Sequence, residues 1–394
     1  MPAKTAAQTQ AAKTILGRLI SFDTTSHKTN IPMAEFIRDY LAGHDVESHF
    51  VPDANGIHTS LFATIGPVSV RGGDGGIGLS GHMDVVPVTG QTWDTDPFTM
   101  VEIGTKLYGR GTCDMKGYLA CMLAAVPDFK RRKLRTPIHL IFSYDEEVGC
   151  TGVRPMISEF GKTLPKPRMV VVGEPTSMLV VDAHKGPVRW RVELTGRPAH
   201  SSMAPLGVNT ITYAGRILGE LDRIEQDLKA RKPNKRFDPP YTTLQVTQFQ
   251  AGTAGNIVPE SCWFGWEIRA LPGFDVEALE ARVQAFIDTQ CLPEMKAVAP
   301  EANITMQRSN QIPAFAADPD SEILSLALKL AQANETCAVS YATEASLFHA
   351  ADSSSVVCGP GSIAQAHGAN EWIETSELEK CMGFMSRLAD WAES

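Results

Sequence analysis

Residues 77–84 read IGLSGHMD, residues 116–129 read KGYLACMLAAVPDF and residues 138–147 read IHLIFSYDEE. The first and third segments begin as short apolar runs and end in polar residues, which is typical of buried strands. The segment between them carries apolar residues at helical spacing. A further apolar run at 169–173 follows the same rule, and strands that alternate with helices form largely parallel sheets. The sequence therefore predicts an α/β layer in which a mostly parallel sheet is flanked by helices.

The elements around this core extend the pattern in both directions. Two amphipathic helices are predicted within residues 14–41, before the first of these strands. Beyond residue 313 the pattern predicts a helix at 322–333, a strand at 355–359 and a helix at 376–388. We therefore assign residues 1–183 and 313–394 to one discontinuous catalytic domain.

Residues 184–312 follow a different pattern, which predicts a second, inserted domain. Apolar residues alternate with charged ones at 188–194, the period of a strand with one solvated face. The predicted elements that follow are a helix at 209–229, strands at 244–249 and 262–268, a helix at 276–287 and a strand at 304–307. This β-α-β-β-α-β order matches the ferredoxin-like α+β sandwich.

The composition argues against several classes of protein. With 394 residues, 43% hydrophobic and 21% charged, the chain has the length of two or three domains and the balance of a globular protein. The net charge of −9, without a basic patch, argues against a nucleic-acid partner. No apolar run approaches the roughly 18 residues of a membrane span, and residues 1–12 lack the apolar core of a secretion signal. We expect a cytoplasmic protein with no membrane partner.

Acids and a histidine follow the predicted strands of the catalytic domain. His82 and Asp84 come after the first strand, acids occupy residues 145–147 after the next, Glu174 follows the third, and Asp114 precedes the helix. Each has an ordinary structural explanation, such as a turn histidine or an acid at a helix start. Their succession at strand ends favours one shared site. Because clustered carboxylates need neutralisation, a divalent cation is the simplest ligand for that site.

Four strings carry a resemblance to a known family. These strings are SGHMDVVP at 80–87, LYGRGTCDMKG at 107–117, SYDEEVGC at 143–150 and GEPT at 173–176. They resemble the di-zinc metallopeptidase family that contains aminoacylases, deacylases and carboxypeptidases. Further strings resemble the deacetylases of this family that act on N2-acetyl-L-ornithine, at 184–186, 200–202, 207–209, 341–345, 359–367 and 371–375. The likeness covers nearly the whole chain.

The resemblance implies a pair of divalent metal ions. Asp114 would bridge both ions, His82 and Glu174 would complete one ligand set, and Glu147 and His367 would complete the other. Two histidines and three carboxylates suit zinc, with cobalt as the alternative, better than calcium, since imidazole favours borderline metals.

The resemblance also implies catalytic roles. Glu146 would act as the general base that takes a proton from water and passes it to the leaving amine. Asp84 would hold the ring of His82. His200, reaching across a dimer interface from the inserted lid and dimerisation domain, would hydrogen-bond the developing oxyanion. A surface histidine in a hairpin loop is the alternative for His200.

Three positions are candidates for substrate binding. Asn256 and Arg269 match the residues that bind the substrate carboxylate in the family, although Arg269 could also be a plain surface charge. Glu344 lies in the TEA string at 343–345, and we hypothesise that it receives the side-chain ammonium of the substrate.

The expected function is hydrolysis of N2-acetyl-L-ornithine to acetate and L-ornithine, in arginine biosynthesis, by a homodimer. Alternatives with the same chemistry are N-acetylcitrulline, another N-acyl amino acid or N-succinyl-diaminopimelate as substrate, or a dipeptidase or carboxypeptidase activity. A non-catalytic relative would be expected to have lost Glu146 or a ligand, and every one of these positions is present.

Overall fold

The computed structural model describes residues 2–67 and 75–394. Its α-helices are α1 (Pro2–Ile20), α2 (Ile31–Ala42), α3 (Lys116–Arg131), α4 (Val153–Glu159), α5 (Thr210–Ala230), α6 (Val276–Phe286), α7 (Leu292–Val298), α8 (Glu322–Ala331), α9 (Ala345–Ala350) and α10 (Thr375–Glu393). Its strands are β1 (Ser48–Pro52), β2 (Thr59–Ile65), β3 (Ile77–His82), β4 (Val101–Ile103), β5 (Lys106–Tyr108), β6 (Ile138–Ser143), β7 (Met169–Pro175), β8 (Val180–His184), β9 (Gly186–Thr195), β10 (Thr243–Ala251), β11 (Ser261–Ala270), β12 (Asn303–Gln311), β13 (Phe315–Ala316), β14 (Thr336–Val339), β15 (Ser354–Gly359) and β16 (Trp372–Glu374).

The chain divides into two compact units. The first unit comprises Met1–Ala183, Ala316–Cys337 and Thr343–Ser394, and the second comprises His184–Phe315 and Ala338–Ala342. Among the described residues, no helix combines the length and the apolar character that crossing a membrane requires.

The large sheet has a parallel centre, as the apolar runs predict. Its strand order is β1-β2-β6-β3-β7-β15-β8-β13, and β14 pairs with β8. The central strands β6, β3, β7 and β15 are mutually parallel, whereas β1 with β2, β2 with β6 and β15 with β8 pair antiparallel. Antiparallel strands therefore flank a parallel core, and the predicted α/β fold class is confirmed.

Helices cover the parallel strands and bury them. The helices α1, α3 and α10 pack against one another, and α3 also contacts β3. Their apolar faces share one core with the sheet, which includes Leu16, Leu79, Leu119, Val171 and Met385. Burial on both faces explains why the central strands are apolar runs rather than alternating ones.

The strand register brings the acidic strand ends to one edge of the sheet. His82 at the end of β3 pairs with Ser143 at the end of β6, and Ser80 pairs with Val172 in β7. Because the strands are parallel, His82 and Glu174 lie two residues beyond that last pair, at the same level. The acids Asp145–Glu147 come one residue after the end of β6, at this edge.

The second unit is an antiparallel sheet packed on helices. Its strand order is β10-β11-β9-β12, with β11 pairing antiparallel to both β9 and β10, and β12 antiparallel to β9. Trp190 and Trp266 face each other on β9 and β11, with ring centroids 4.1 Å apart, in the same core as Ile217 of α5 and Leu279 of α6. The order and connections are those of a ferredoxin-like sandwich, as predicted.

His139 on β6 is a buried neutral histidine in the first unit. Its Nε2 lies 2.9 Å from the carbonyl oxygen of Gly75, to which it donates, so Nδ1 accepts from the Thr64 hydroxyl, also at 2.9 Å. Burial lowers the pKa of His139 to about 4. Since an unfolded histidine titrates near pH 6.5, the unfolded chain binds this proton first as the pH falls.

We expect His139 to make the fold sensitive to mild acid. The stability that the fold gains from a neutral His139 is fully present above about pH 6.5 and is lost as the pH falls towards 4. At pH 5 the free energy of unfolding should be lower by about 2 kcal/mol for this reason. Free energies of unfolding from urea titrations at pH 7 and pH 5 measure this loss. In His139→Gln the difference between the two pH values should shrink by that amount. An equal pH dependence in the variant and the parent would show that His139 is not the responsible group.

Candidate metal centre

His82 presents one ring nitrogen to a group of acids. Its Nδ1 donates to the backbone oxygen of Asp84 at 2.9 Å, which leaves Nε2 as the free nitrogen. That Nε2 lies 3.1 Å from Oδ1 of Asp114 and 3.7 Å from Oε1 of Glu174. A ring fixed through Nδ1 with Nε2 facing carboxylates is the usual arrangement of a metal-binding histidine.

Asp114 lies between two histidines. Its Oδ1 faces His82, and its Oδ2 is 3.2 Å from Nε2 of His367. The same His367 nitrogen is 3.0 Å from Oε2 of Glu147. The structure therefore brings together all five residues for which the sequence suggested metal ligation, with the Asp114 carboxylate in the middle.

Negative charge is concentrated at this site. Burial raises the pKa of Glu146 to about 8, and burial together with the Asp114 charge raises the pKa of Glu147 to about 7. Burial and the same aspartate also raise the pKa of Glu174. Hydrogen bonds to Asp114 and Glu147 raise the pKa of His367 to about 10. Without added positive charge, these carboxylates cannot all ionise at neutral pH.

The donor set fits divalent cations. His82, Asp114 and Glu147 offer ligand atoms within 4.8 Å of one another, and so do His82, Glu146 and Glu174. Oε1 of Glu174 is buried and has no hydrogen-bond partner among the described residues, as expected of an atom that serves a metal. Imidazole and carboxylate together are the ligands of zinc and related metals.

Asp84 connects the histidine to the acidic loop. Its carboxylate lies 3.4 Å from Nδ1 of His82 and accepts the backbone N–H groups of Glu146 at 3.1 Å and Glu147 at 3.3 Å. The Ser26 hydroxyl donates a further bond at 2.8 Å. Although burial opposes ionisation, the neighbouring His82 ring, followed by the bonds from Ser26 and Glu146, holds the pKa of Asp84 below its usual range. Asp84 therefore fixes the loop as well as the ring.

The loop after β6 turns sharply to present Glu146. Asp145 has φ 52°, in the left-handed region that non-glycine residues seldom occupy. The Glu146 carboxylate accepts a hydrogen bond from the Cys150 thiol at 3.2 Å. The left-handed backbone of Asp145 is an unfavourable conformation, which persists only where the surrounding structure holds it. Conformations of this kind are common at functional sites.

The sequence analysis did not predict the residues that hold the metal-binding side chains and their backbone in place. Ser26 supports Asp84, and the buried pair Arg110 and Glu371 supports the backbone of Asp114. Arg110 and Glu371 lie in strings that carry the family resemblance, which is the one signal that could have drawn attention to them. Their burial depends on contacts between distant parts of the chain, which no local pattern reveals.

Glu344 lies in the first unit, just before α9. It is 1% exposed, and its Oε2 accepts a hydrogen bond from the Ser80 hydroxyl at 3.3 Å. Burial raises the pKa of Glu344 to about 7. Oε1 has no hydrogen-bond partner among the described residues. Its role in binding the substrate stays a prediction.

His200, Asn256 and Arg269 belong to the second unit. His200 is exposed, and its Nδ1 lies 2.8 Å from the Ser202 hydroxyl. The backbone oxygen of Asn256 accepts from the N–H of Ser201 at 3.0 Å, so His200 and Asn256 lie on adjoining segments. Arg269 on β11 donates to Glu267 at 3.3 Å. Their roles in catalysis and substrate binding stay predictions.

Comparison with known proteins identifies the family. Residues 78–391 match the model described as "Peptidase family M20/M25/M40". The chain belongs to this peptidase family. An acetylornithine deacetylase of Myxococcus xanthus is 33% identical over 386 residues, which cover 96% of each chain. The family resemblance that the motifs predicted is confirmed. As a member of the M20/M25/M40 family, the protein is a metal-dependent amidohydrolase.

Solved structures with the same fold include two peptidases. The M20 metallo-carboxypeptidase Sso-CP2 of Sulfolobus solfataricus aligns with a TM-score of 0.75 at 16% identity and covers 97% of this chain and 99% of its own. The YXEP protein of Bacillus subtilis, described as a dinuclear metal-binding peptidase, aligns with a TM-score of 0.67 at 16% identity and 98% coverage of both chains. At these identities the two structures establish the M20/M25/M40 fold alone.

Proposed function

We propose that this protein hydrolyses N2-acetyl-L-ornithine to acetate and L-ornithine with two divalent metal ions, zinc first and cobalt as the alternative. The observation that carries the chemistry is the position of Asp114, whose two carboxylate oxygens face His82 and His367. The likeness to the Myxococcus xanthus deacetylase, over 96% of both chains, supports the substrate.

The residues divide into two ligand sets around Asp114. His82 and Glu174 would hold one ion, Glu147 and His367 would hold the other, and Asp114 would serve both. When bound, the ions supply positive charge that polarises the amide carbonyl and makes water more acidic. Asp84 keeps the His82 ring turned so that Nε2 faces the acids.

Glu146 moves the proton in this proposal. Water adds its oxygen to the acetyl carbonyl carbon, Glu146 accepts the proton, and the C–N bond breaks as the nitrogen receives a proton from Glu146. The bonds from the Glu146 N–H to Asp84 and from the Cys150 thiol to its carboxylate hold this group in place. Acetate and the free amine are the products.

The second unit supplies the remaining roles. We assign His200 of a second copy of the chain to the developing oxyanion, and Asn256 and Arg269 to the substrate carboxylate, as the family resemblance implies. A homodimer formed through residues 184–312, acting in the cytoplasm and in arginine biosynthesis, completes the proposal. Glu344, a buried carboxylate that borders the strand ends of the centre through Ser80, is the candidate for the substrate ammonium.

We expect zinc-dependent cleavage that favours the cationic substrate. Amine release is measured with chelator-treated protein before and after zinc is returned, on N2-acetyl-L-ornithine, N-acetyl-L-citrulline, N-succinyl-diaminopimelate and a dipeptide. Acetylornithine should exceed neutral acetylcitrulline in kcat/KM by about tenfold or more, because the neutral analogue would leave the Glu344 carboxylate without a cationic partner.

The variant Glu344→Gln tests the origin of that preference. It keeps the size of the side chain and should reduce the ratio of the two kcat/KM values. An unchanged ratio assigns the ammonium to another residue. Zinc-restored cleavage of a different substrate would retain the chemistry and replace acetylornithine, and the lack of zinc-dependent cleavage of any substrate would contradict the proposed function.

A further inference from the structure

Arg110 is a buried cation near the metal centre that the proposed mechanism does not use. It lies in the glycine-rich loop before α3 and is 1% exposed. Its Nη1 donates to Oε2 of Glu371 at 2.7 Å, and its Nη2 donates to Oε1 of Gln91 at 2.6 Å. Two arms of one planar guanidinium therefore reach two separate segments of the chain.

The first arm leads to Asp114. Glu371 is also 1% exposed, and its second oxygen accepts the backbone N–H groups of Cys113 at 2.9 Å and Asp114 at 3.0 Å. A carboxylate with two backbone donors and one arginine has a single favourable orientation. Arg110 therefore fixes, through Glu371, the backbone from which Asp114 extends.

The second arm leads to His367. The Gln91 amide that accepts from Arg110 donates through its Nε2 to the backbone oxygen of His367 at 2.7 Å. His367 has φ 63°, a conformation that needs support from its surroundings. Asn370, three residues later, is held by two bonds of 2.9 Å to Asp94. The loop that carries His367 is therefore anchored to the segment around Gln91.

We infer that Arg110 is a positioning residue that sets the separation of Asp114 and His367 and thereby the affinity for the ion held by Glu147 and His367. The inference rests on the proposed two-ion centre. Both series of hydrogen bonds, one to Asp114 and one to His367, start from Arg110. Each ends on the backbone of a proposed metal ligand and not on its side chain. A lysine has one compact ammonium, so it cannot reproduce the planar fork that reaches both acceptors.

The inference is tested by metal affinity rather than by turnover. Zinc binding to chelator-treated protein is titrated against a competing chromophoric chelator, and cobalt spectra report the ligand geometry. Outer residues of metal sites typically change affinity 10- to 100-fold. Arg110→Lys should therefore weaken zinc binding at the site of Glu147 and His367 by about that factor.

Gln91→Ala keeps the buried ion pair between Arg110 and Glu371 and removes the link to His367, together with the bond from the Trp93 ring to Gln91. It should weaken the same site by about tenfold and change its cobalt spectrum. Arg132→Lys is the matched control, since Arg132 pairs with Asp128 and Asp390 in the first unit and not with the centre. Its two affinities should equal those of the parent.

The outcomes separate this inference from the proposed function. If the parent binds two zinc ions and both Arg110→Lys and Gln91→Ala bind them with parental affinity, the inference is overturned and the two-ion centre stands. If the parent binds fewer than two ions, the two-ion centre fails and the inference fails with it. If Arg110→Lys does not fold, Gln91→Ala decides by the same affinity criterion.

Discussion

Glu146→Gln is expected to lower kcat by about 10³-fold while zinc content and KM stay close to the parental values. Glutamine keeps the size of the side chain and can still accept from the Cys150 thiol, but it cannot take a proton from water. The backbone N–H of Glu146 still donates to Asp84, so the loop keeps its shape. The loss should therefore fall on the chemical step alone.

The measurement combines steady-state kinetics with metal analysis of the same preparations. Glu147→Gln is the matched neighbour, because Glu147 contacts His367 at 3.0 Å and is a proposed ligand. It should lose metal affinity as well as activity. If Glu146→Gln kept more than a tenth of the parental kcat, another group would have to carry the proton.

Gly173→Ala is expected to destabilise the fold by about 3 kcal/mol or more. Gly173 lies in β7, directly before Glu174, and a Cβ at this position would lie 2.1 Å from Cδ1 of Tyr118. Tyr118 is fully buried on α3, so its ring has no free space into which to move. The helix and the strand would have to separate, which also displaces Glu174.

Gly215→Ala is the matched control for this prediction. Gly215 is exposed on α5, and a Cβ there would meet no atom within 4 Å. Alanine should stabilise that helix by about 0.5–1 kcal/mol. Urea unfolding followed by circular dichroism measures both changes, and equal stability of Gly173→Ala and the parent would show that the contact between α3 and β7 tolerates a methyl group.

The sequence predicts the central elements well because each carries its own signal. The predicted helix at 116–129 and the observed α3 (Lys116–Arg131) agree, since buried helices and strands repeat apolar residues at a fixed spacing. The strands β4, β5 and β16 were not predicted, because three residues are too few to show a period.

Helix ends and interruptions were harder to predict. α1 begins at Pro2, well before the apolar pattern at Ile15, because its first turns are rich in alanine, which favours helix without marking a buried face. The predicted helix at 276–287 is followed by a π-helical turn at Ile287–Cys291 and then by α7. Pro293 in the first turn of α7 lacks the N–H that would continue the preceding helix, and it is the one sequence signal of this interruption.

For the candidate site, the sequence indicates the groups at strand ends but not what supports them. His82 and Glu174 stand out because a polar residue after an apolar strand is conspicuous. Arg110 and Glu371 are 261 residues apart, and only the folded chain brings them within 2.7 Å. Such a buried ion pair is set by long-range packing, which local spacing cannot encode.

The dependence of Asp114 on Glu371 has a consequence for synthesis on the ribosome. The backbone of Asp114 is fixed by a residue made more than 250 positions later, and His367 also comes from the end of the chain. The nascent first half therefore contains Asp114 without Glu371 and Glu147 without His367. The proposed centre therefore cannot assemble in full until residues 367–371 have left the exit tunnel.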